Sequence, residues 1–148
     1  MVRLRRKVMI PAGLLATAAI TLGGCGPDDI SQDRLQSALA STFANLYVRQ
    51  QALLGRSGIA TDAVAARATC GKPGNAKQQG AGEWTCTVSW FGVDGAPLTG
   101  EYDVQAKAGG CFTATGQPTG VGAPTLRAPD GSSFVNPIYG IDGCFASA

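Results

Sequence analysis

Cysteine is the residue type in this sequence best suited to covalent chemistry, and Cys25 is the most unusually placed of the five. It follows a segment without any charged residue, from Val8 to Gly24, and stands more than forty residues before the next cysteine. A thiol is the most nucleophilic side chain, so it can accept a substituent as a thioether. Because small residues precede it, the backbone is open to a protease. Cys25 is therefore a candidate for covalent chemistry.

The segment before Cys25 has the composition of an export signal. Four basic residues at positions 3–7 are followed by Val8–Leu22, which is aliphatic or small apart from Pro11 and two threonines. A basic start and a short apolar run are typical of a secretory signal. The run is also shorter than the roughly 18–20 residues that cross a bilayer. Arg5-Arg6 is a twin-arginine pair without the rest of that motif, so the export route stays open.

The tetrapeptide Leu22-Gly23-Gly24-Cys25 resembles the lipobox of bacterial lipoproteins, in which Leu and two small residues precede an invariant Cys. The resemblance implies that the bond between Gly24 and Cys25 is cut and that Cys25 carries the lipid. Two acyl chains give stable anchoring, because each buried CH₂ contributes about 0.8 kcal/mol and one chain alone is marginal. We therefore expect a lipid-anchored protein on the extracytoplasmic face of the cell membrane.

This processing divides the chain into a signal peptide at residues 1–24, a short tether at 25–29 and a single globular domain at 30–148. At about 3.3–3.6 Å per residue, the tether reaches roughly 15 Å beyond Cys25. We therefore expect the domain to sit close to the membrane surface.

The remaining cysteines are predicted to form two disulfides, because an even number in an exported domain favours cross-links. They are Cys70, Cys86, Cys111 and Cys144. Three pairings are open. We favour Cys70–Cys86 and Cys111–Cys144, since each pair then lies within a local unit. A zinc site is disfavoured because the spacings contain no C-x₂-C knuckle, and no other metal site is predicted.

Composition argues against several kinds of enzyme. The sequence has no His, which removes Ser-His-Asp and Cys-His catalysis. Glu101 and Asp103 lie on one face of a predicted strand, where paired carboxylates could transfer protons, but that face is polar and we interpret it as solvated. Without residues 1–24 the chain has eight basic and ten acidic residues and no basic run for nucleic acid. We predict no catalytic residue, no cofactor and no enzymatic activity.

One long helix is predicted over Ile30–Leu54. Its apolar residues recur at steps of three and four and form one stripe. The members are Leu35, Leu39, Phe43, Leu46, Tyr47, Leu53 and Leu54. Ser31 is expected to be the N-cap, and Gly55 is expected to supply the left-handed residue that ends the helix.

Two strands, Trp84–Trp90 and Leu98–Lys107, alternate apolar and polar residues with Asp94-Gly95 as a turn between them. Such alternation predicts an antiparallel sheet with one buried and one solvated face. The predicted fold class is therefore α+β, with one long N-terminal helix packed on a small antiparallel β-sheet and two disulfides. The expected contacts join Phe43, Leu46 and Tyr47 of the helix to Trp84, Val88, Tyr102 and Val104 of the sheet.

The other segments are less regular. Residues 59–70 suit either a short helix or a strand, with a strand favoured over the last six. Residues 71–82 are expected to form a hairpin loop, since Lys72 and Lys77 lack the spacing of a phosphate-binding loop. A short strand is predicted over Cys111–Ala114. Residues 115–124 are expected to be irregular and mobile, and Pro137 bars a central strand nearby.

Two classes of function remain after these exclusions. The first is a non-catalytic binding or interaction module of the cell envelope, held at the membrane by its lipid. Its partner would be an envelope protein, a glycan or a small ligand, and not nucleic acid. The alternative is a small secreted enzyme or enzyme inhibitor with an unrecognised site.

Overall fold

The computed structural model describes residues 30–145. The predicted signal peptide, the cleavage site at Gly24 and Cys25, and the tether at 25–29 lie outside the described residues.

The predicted α+β fold is confirmed: one long helix packs on a five-stranded antiparallel sheet. In chain order the elements are α1 (Gln32–Leu53), α2 (Thr61–Val64), β1 (Arg67–Gly71), β2 (Gly82–Phe91), β3 (Pro97–Ala106), β4 (Cys111–Gly116), α3 (Pro118–Val121), β5 (Thr125–Arg127), β6 (Ser133–Val135) and β7 (Gly140–Cys144). The main sheet has the order β1-β2-β3-β4-β7, and β5 pairs with β6 in a separate two-stranded sheet.

The ends of α1 follow from two residues that the sequence singles out. Ser31 is extended, and its hydroxyl accepts a hydrogen bond from the Arg34 N–H at 3.2 Å, as an N-cap does. Gly55 has φ +80°, the left-handed conformation that ends a helix. The helix begins two residues later than predicted, because Ile30 and Ser31 pair instead with the loop before β2. Gly80 N–H donates to Ile30 O at 2.7 Å, and Ser31 forms a bridge with Gln79.

The inner face of the sheet carries the apolar residues, and α1 covers it. Along β2 the predicted alternation is complete: Trp84, Cys86, Val88 and Trp90 are buried while the residues between them are exposed. On the helix the buried stripe contains Leu35, Leu39, Phe43 and Tyr47. The two stripes therefore bury each other, as predicted. The prediction was wrong for Leu53, which is exposed at the end of the helix, and Leu46 and Leu54 are only partly buried.

The aromatic contacts show which residues of the sheet the helix reaches, in more detail than the sequence predicted. The ring of Phe43 lies 4.7 Å from that of Trp90 and 6.2 Å from that of Tyr102, with the latter pair edge to face. Tyr47 also lies 6.0 Å from Trp90. Trp84 instead donates its indole N–H to Gly80 O at 3.2 Å. Since α1 begins beside Gly80, Phe43 and Tyr47 in its second half lie beside Trp90 at the far end of β2.

One segment confirms the favoured strand and adds the alternative helix, and another differs from the expectation. Residues 59–70 form both candidate structures in succession, because Ala65 takes a left-handed conformation (φ +47°) between α2 and β1. Residues 115–124 are not irregular throughout: β4 continues to Gly116, and α3 follows. Val121 of α3 is buried, and its methyl groups lie within 3 Å of where a Cβ on Gly100 or Gly116 would stand. Those glycines therefore make room for α3 on the inner face.

A buried asparagine holds the segment between β4 and β7 onto α1. Asn136 accepts a hydrogen bond from Gln50 at 2.8 Å and donates to Val121 O and Ala123 O at 3.0 and 2.9 Å. Nearby, the Tyr102 hydroxyl donates to Ile138 O at 2.6 Å, and burial raises the pKa of this phenol. Polar contacts thus order a chain segment that has few apolar residues.

Candidate interaction surface

Both predicted disulfides are present, and they lie on opposite faces of the sheet. Cys70 and Cys86 are directly opposite on β1 and β2, with Cα atoms 4.0 Å apart and side chains buried in the core. Cys111 and Cys144 are directly opposite on β4 and β7, with Cα atoms 3.8 Å apart. Their strand neighbours Phe112 and Ala114 are buried, so this second disulfide lies on the other face, where Cys144 is exposed. All four described cysteines are therefore cross-linked.

The outer face of the main sheet is exposed along its five strands. Hydroxyl side chains dominate it: Thr69, Thr85, Thr87, Ser89, Thr99, Thr113 and Thr115. Carboxylates come from Glu83, Glu101, Asp103 and Asp142, and the strands of the main sheet add one cation, Arg67. Strand register aligns these side chains in rows across the sheet, for example Thr85, Asp103 and Thr115.

A shallow depression of about 420 Å³ lies on this outer face. The side chains of Glu83, Thr85, Asp103, Gln105 and Thr113 contribute to it. Gln117 donates a hydrogen bond from Nε2 to Asp103 Oδ2 at 2.9 Å, which fixes the orientation of that carboxylate. The depression therefore offers both hydrogen-bond acceptors and donors, and the orientation of one of them, the Asp103 carboxylate, is fixed.

Glu101 and Asp103, the predicted carboxylate pair, both lie on this outer face and are exposed. Their strand neighbours Tyr102 and Val104 are buried on the inner face. The interpretation of the pair as part of a solvated face is confirmed. Gln117 bonds to Asp103, and Thr119 and Gly120 of α3 line a depression together with Glu101.

The loop between β1 and β2 is a hairpin loop, as predicted, and its first lysine supports the loop itself. Lys72 Nζ donates to Ala81 O at 2.7 Å and lies 5.3 Å from the centre of the Trp84 ring. The backbone N–H of Lys72 donates to the side chain of Gln78 at 2.8 Å. These contacts close the loop on itself and leave no cradle of backbone N–H groups around the lysine.

The two edges of the main sheet differ in a way that the sequence did not predict. On β1 the outward backbone groups of Cys70 are occupied, since its N–H donates to Gln36 Oε1 at 2.9 Å and its C=O accepts from Gln32 Nε2. On β7, no strand among residues 30–145 pairs with the outward side. Gln32 and Gln36 are four residues apart on α1, but this spacing does not by itself predict contacts with β1. The contacts also require the helix to lie beside β1.

Residues 30–145 contain no group of three or more Cys, Asp or Glu side chains arranged to hold a metal ion. Within the same range, neither α1 nor either short helix has the length and hydropathy needed to span a bilayer. Comparison of the chain with protein-family models, with curated proteins and with solved structures finds no significant match.

Proposed function

We propose that this chain is a lipid-anchored extracytoplasmic lipoprotein, and that its domain is a non-catalytic binding module of the bacterial cell envelope. The anchor is proposed from the resemblance of Leu22-Gly23-Gly24-Cys25 to a lipobox. The binding surface is the outer face of the main sheet. One observation carries this choice: the inner face is buried under α1, whereas the outer face is uncovered over five strands and is polar except at one end, where Phe91 and Pro97 are exposed.

The position of Ile30 supports this use of the outer face. Ile30 lies beside Gly80, at the end of the sheet where β2 begins. A tether of five residues reaches roughly 15 Å, so that end would rest near the membrane and β2 would lead away from it. The outer face would then stand to one side of the domain. It would be accessible to envelope molecules and would not be pressed against the bilayer.

The chemistry of the outer face favours a polar partner. Its hydroxyl and amide groups both donate and accept hydrogen bonds, whereas its carboxylates only accept. The depression at Asp103 and Gln105 combines both kinds of group. The strands of the main sheet place four carboxylates and one cation, Arg67, on this face, so its net charge is negative. A negative surface disfavours anionic partners. An uncharged glycan or a neutral to basic protein surface fits this pattern.

The anchor is tested with Cys25→Ala in a bacterial host. The wild-type chain is expected in the membrane fraction, with an intact mass that begins at Cys25 and includes the diacylglyceryl thioether. The variant is expected as an uncleaved precursor or in the medium. A variant that fractionates and migrates like the wild type would show that the lipobox interpretation is wrong.

The binding surface is tested by capture of envelope components with the lipidated protein. One variant, Thr85→Lys with Asp103→Lys, adds bulk and positive charge at the depression. A matched control, Thr61→Lys with Asp62→Lys, makes the same residue changes on exposed positions of α2. Components retained by the wild type and the control should be lost with the first variant. Equal retention by all three proteins would exclude the depression as the binding site.

A further inference from the structure

The edge strand β7 has a row of backbone hydrogen-bonding groups directed away from the sheet. The flanking bonds, from Phe145 N–H to Gly110 O and from Gly116 N–H to Tyr139 O, are both 2.7 Å long. In an antiparallel pair, hydrogen-bonded and non-hydrogen-bonded residue pairs alternate. The pairs that contain Gly140, Asp142 and Cys144 are therefore the non-hydrogen-bonded ones. Their N–H and C=O groups point outward from β7.

Beside this edge lies a groove of about 600 Å³ between β7 and the first half of α1. Its walls include Ala38, Ser41 and Phe145. Neighbouring strands lie about 4.8 Å apart, and alternate side chains point to opposite faces. A strand added to β7 would therefore direct every second side chain toward α1, and those beside Cys144 and Phe145 would enter this groove.

The remaining side chains of an added strand would lie on the outer face next to Asp142. Asp142 is exposed, and Thr113 is its cross-strand neighbour on β4. Within the main sheet, the carboxylates of the strands outnumber the single cation Arg67, which lies on the opposite edge. Lys107 follows the end of β3, and Asp33 and Arg34 line the groove with opposite charges. Charge complementarity therefore favours basic side chains beside Asp142.

We propose that β7 binds an extended polypeptide segment as an added strand. The segment alternates basic residues, which lie beside Asp142, with apolar residues, which enter the groove between β7 and α1. This is a second site, separate from the depression on the outer face and independent of the lipid anchor. A second copy of the chain fits less well, because pairing two β7 strands symmetrically about Asp142 would set two carboxylates opposite each other.

The contrast with β1 supports the assignment. Exposed strand edges invite pairing with other chains, and proteins commonly cover them. Here Gln32 and Gln36 occupy the outward groups of Cys70 on β1. The outward groups of β7 have no comparable glutamine among the described residues, and Gly140 adds no side chain to obstruct an incoming strand.

The experiment measures binding of short capped peptides to the full chain in detergent by titration calorimetry. The probe is acetyl-Lys-Val-Lys-Val-Lys-amide, compared with acetyl-Glu-Val-Glu-Val-Glu-amide. In the proposed register the lysine backbone groups face β7 and the valine backbone groups face away. N-methylation of the central Lys is expected to weaken binding about tenfold, or about 1.4 kcal/mol. N-methylation of a Val is expected to change binding less than about twofold, since that N–H makes no bond to β7.

Variants of the protein, in place of modified peptides, test the same edge of β7. Asp142→Pro removes an outward N–H while leaving the ladder to β4, because proline is tolerated where the N–H faces away from the sheet. It should abolish binding of the Lys peptide, whereas Asp142→Asn should weaken it without abolishing it. Ala68→Pro, at the matching outward position on β1, should leave binding unchanged.

Three results would overturn the proposal. The first is equal affinity for the Lys and Glu peptides. The second is equal loss on N-methylation of Lys and of Val, a test that uses the wild-type protein and does not depend on any variant folding. The third is a dimer in sedimentation that Asp142→Pro dissociates, which would assign the edge to a second copy. Loss of lipidation in the Cys25→Ala experiment would leave this site unaffected.

Discussion

The two faces of the main sheet are made from alternate residues of the same strands, yet they differ in almost every physical property. On β3, Tyr102 and Val104 are buried under α1, while Glu101 and Asp103 between them are exposed. Each inner residue has neighbours that constrain its volume, so its identity is tied to stability. The outer residues have few such neighbours. The difference indicates that stability resides on one face and that the other can vary to suit a partner.

The largest effect is expected from Phe43→Ala on the inner face. Phe43 is fully buried and contacts both Trp90 and Tyr102. Truncating a buried aromatic side chain costs about 3–5 kcal/mol, because contacts are lost and a cavity remains. Denaturant melts of the full chain in detergent should show this decrease in the free energy of unfolding. Ser41→Ala, on the exposed side of α1, is the control and should change it by less than about 0.5 kcal/mol.

The disulfides extend the comparison, because one lies on each face. Cys70–Cys86 is buried and Cys144 is exposed, so a reductant should reach Cys111–Cys144 first. Brief treatment with dithiothreitol, alkylation and peptide mapping should label Cys111 and Cys144 before Cys70 and Cys86. Replacing Cys111 and Cys144 with Ser should destabilise by about 3–4 kcal/mol, as the chain-entropy model gives for a loop of this length. Labelling of all four cysteines at one rate would contradict the assignment of the two bonds to different environments.

The sequence predicted the parts of this fold that depend on periodicity. The stripe of α1, the alternation of β2 and β3, and the pairing of neighbouring cysteines all follow from local patterns. The cap at Ser31 and the end at Gly55 follow from single residues whose backbone preferences are strong. These features place the outer face correctly, with Glu101 and Asp103 on it.

The features that the sequence did not predict depend on contacts between distant residues. Residues 115–124 have many glycines and prolines, which favour irregular structure. Their order comes from Val121, which packs against Gly100, and from Asn136, which bonds to Gln50 on α1. The protection of β1 by Gln32 and Gln36 is also long-range. A local pattern carries no signal for such contacts, so neither the ordered segment nor the open edge at β7 could be inferred.

The smallest effect is expected from Glu101→Ala on the outer face. The change should alter the free energy of unfolding by less than about 0.5 kcal/mol, as is usual for exposed positions without buried partners. Denaturant melts beside those of Phe43→Ala give the direct comparison between the faces. Glu101→Ala can then be tested for capture of envelope components. Thr87→Ala is the control, because Thr87 is uncharged and lies directly opposite Glu101 on β2. If Glu101→Ala destabilised the protein as much as Phe43→Ala, the outer face would be part of the folding core. A small loss of stability together with altered capture would separate the two faces by role, because the residue would matter to binding and not to folding.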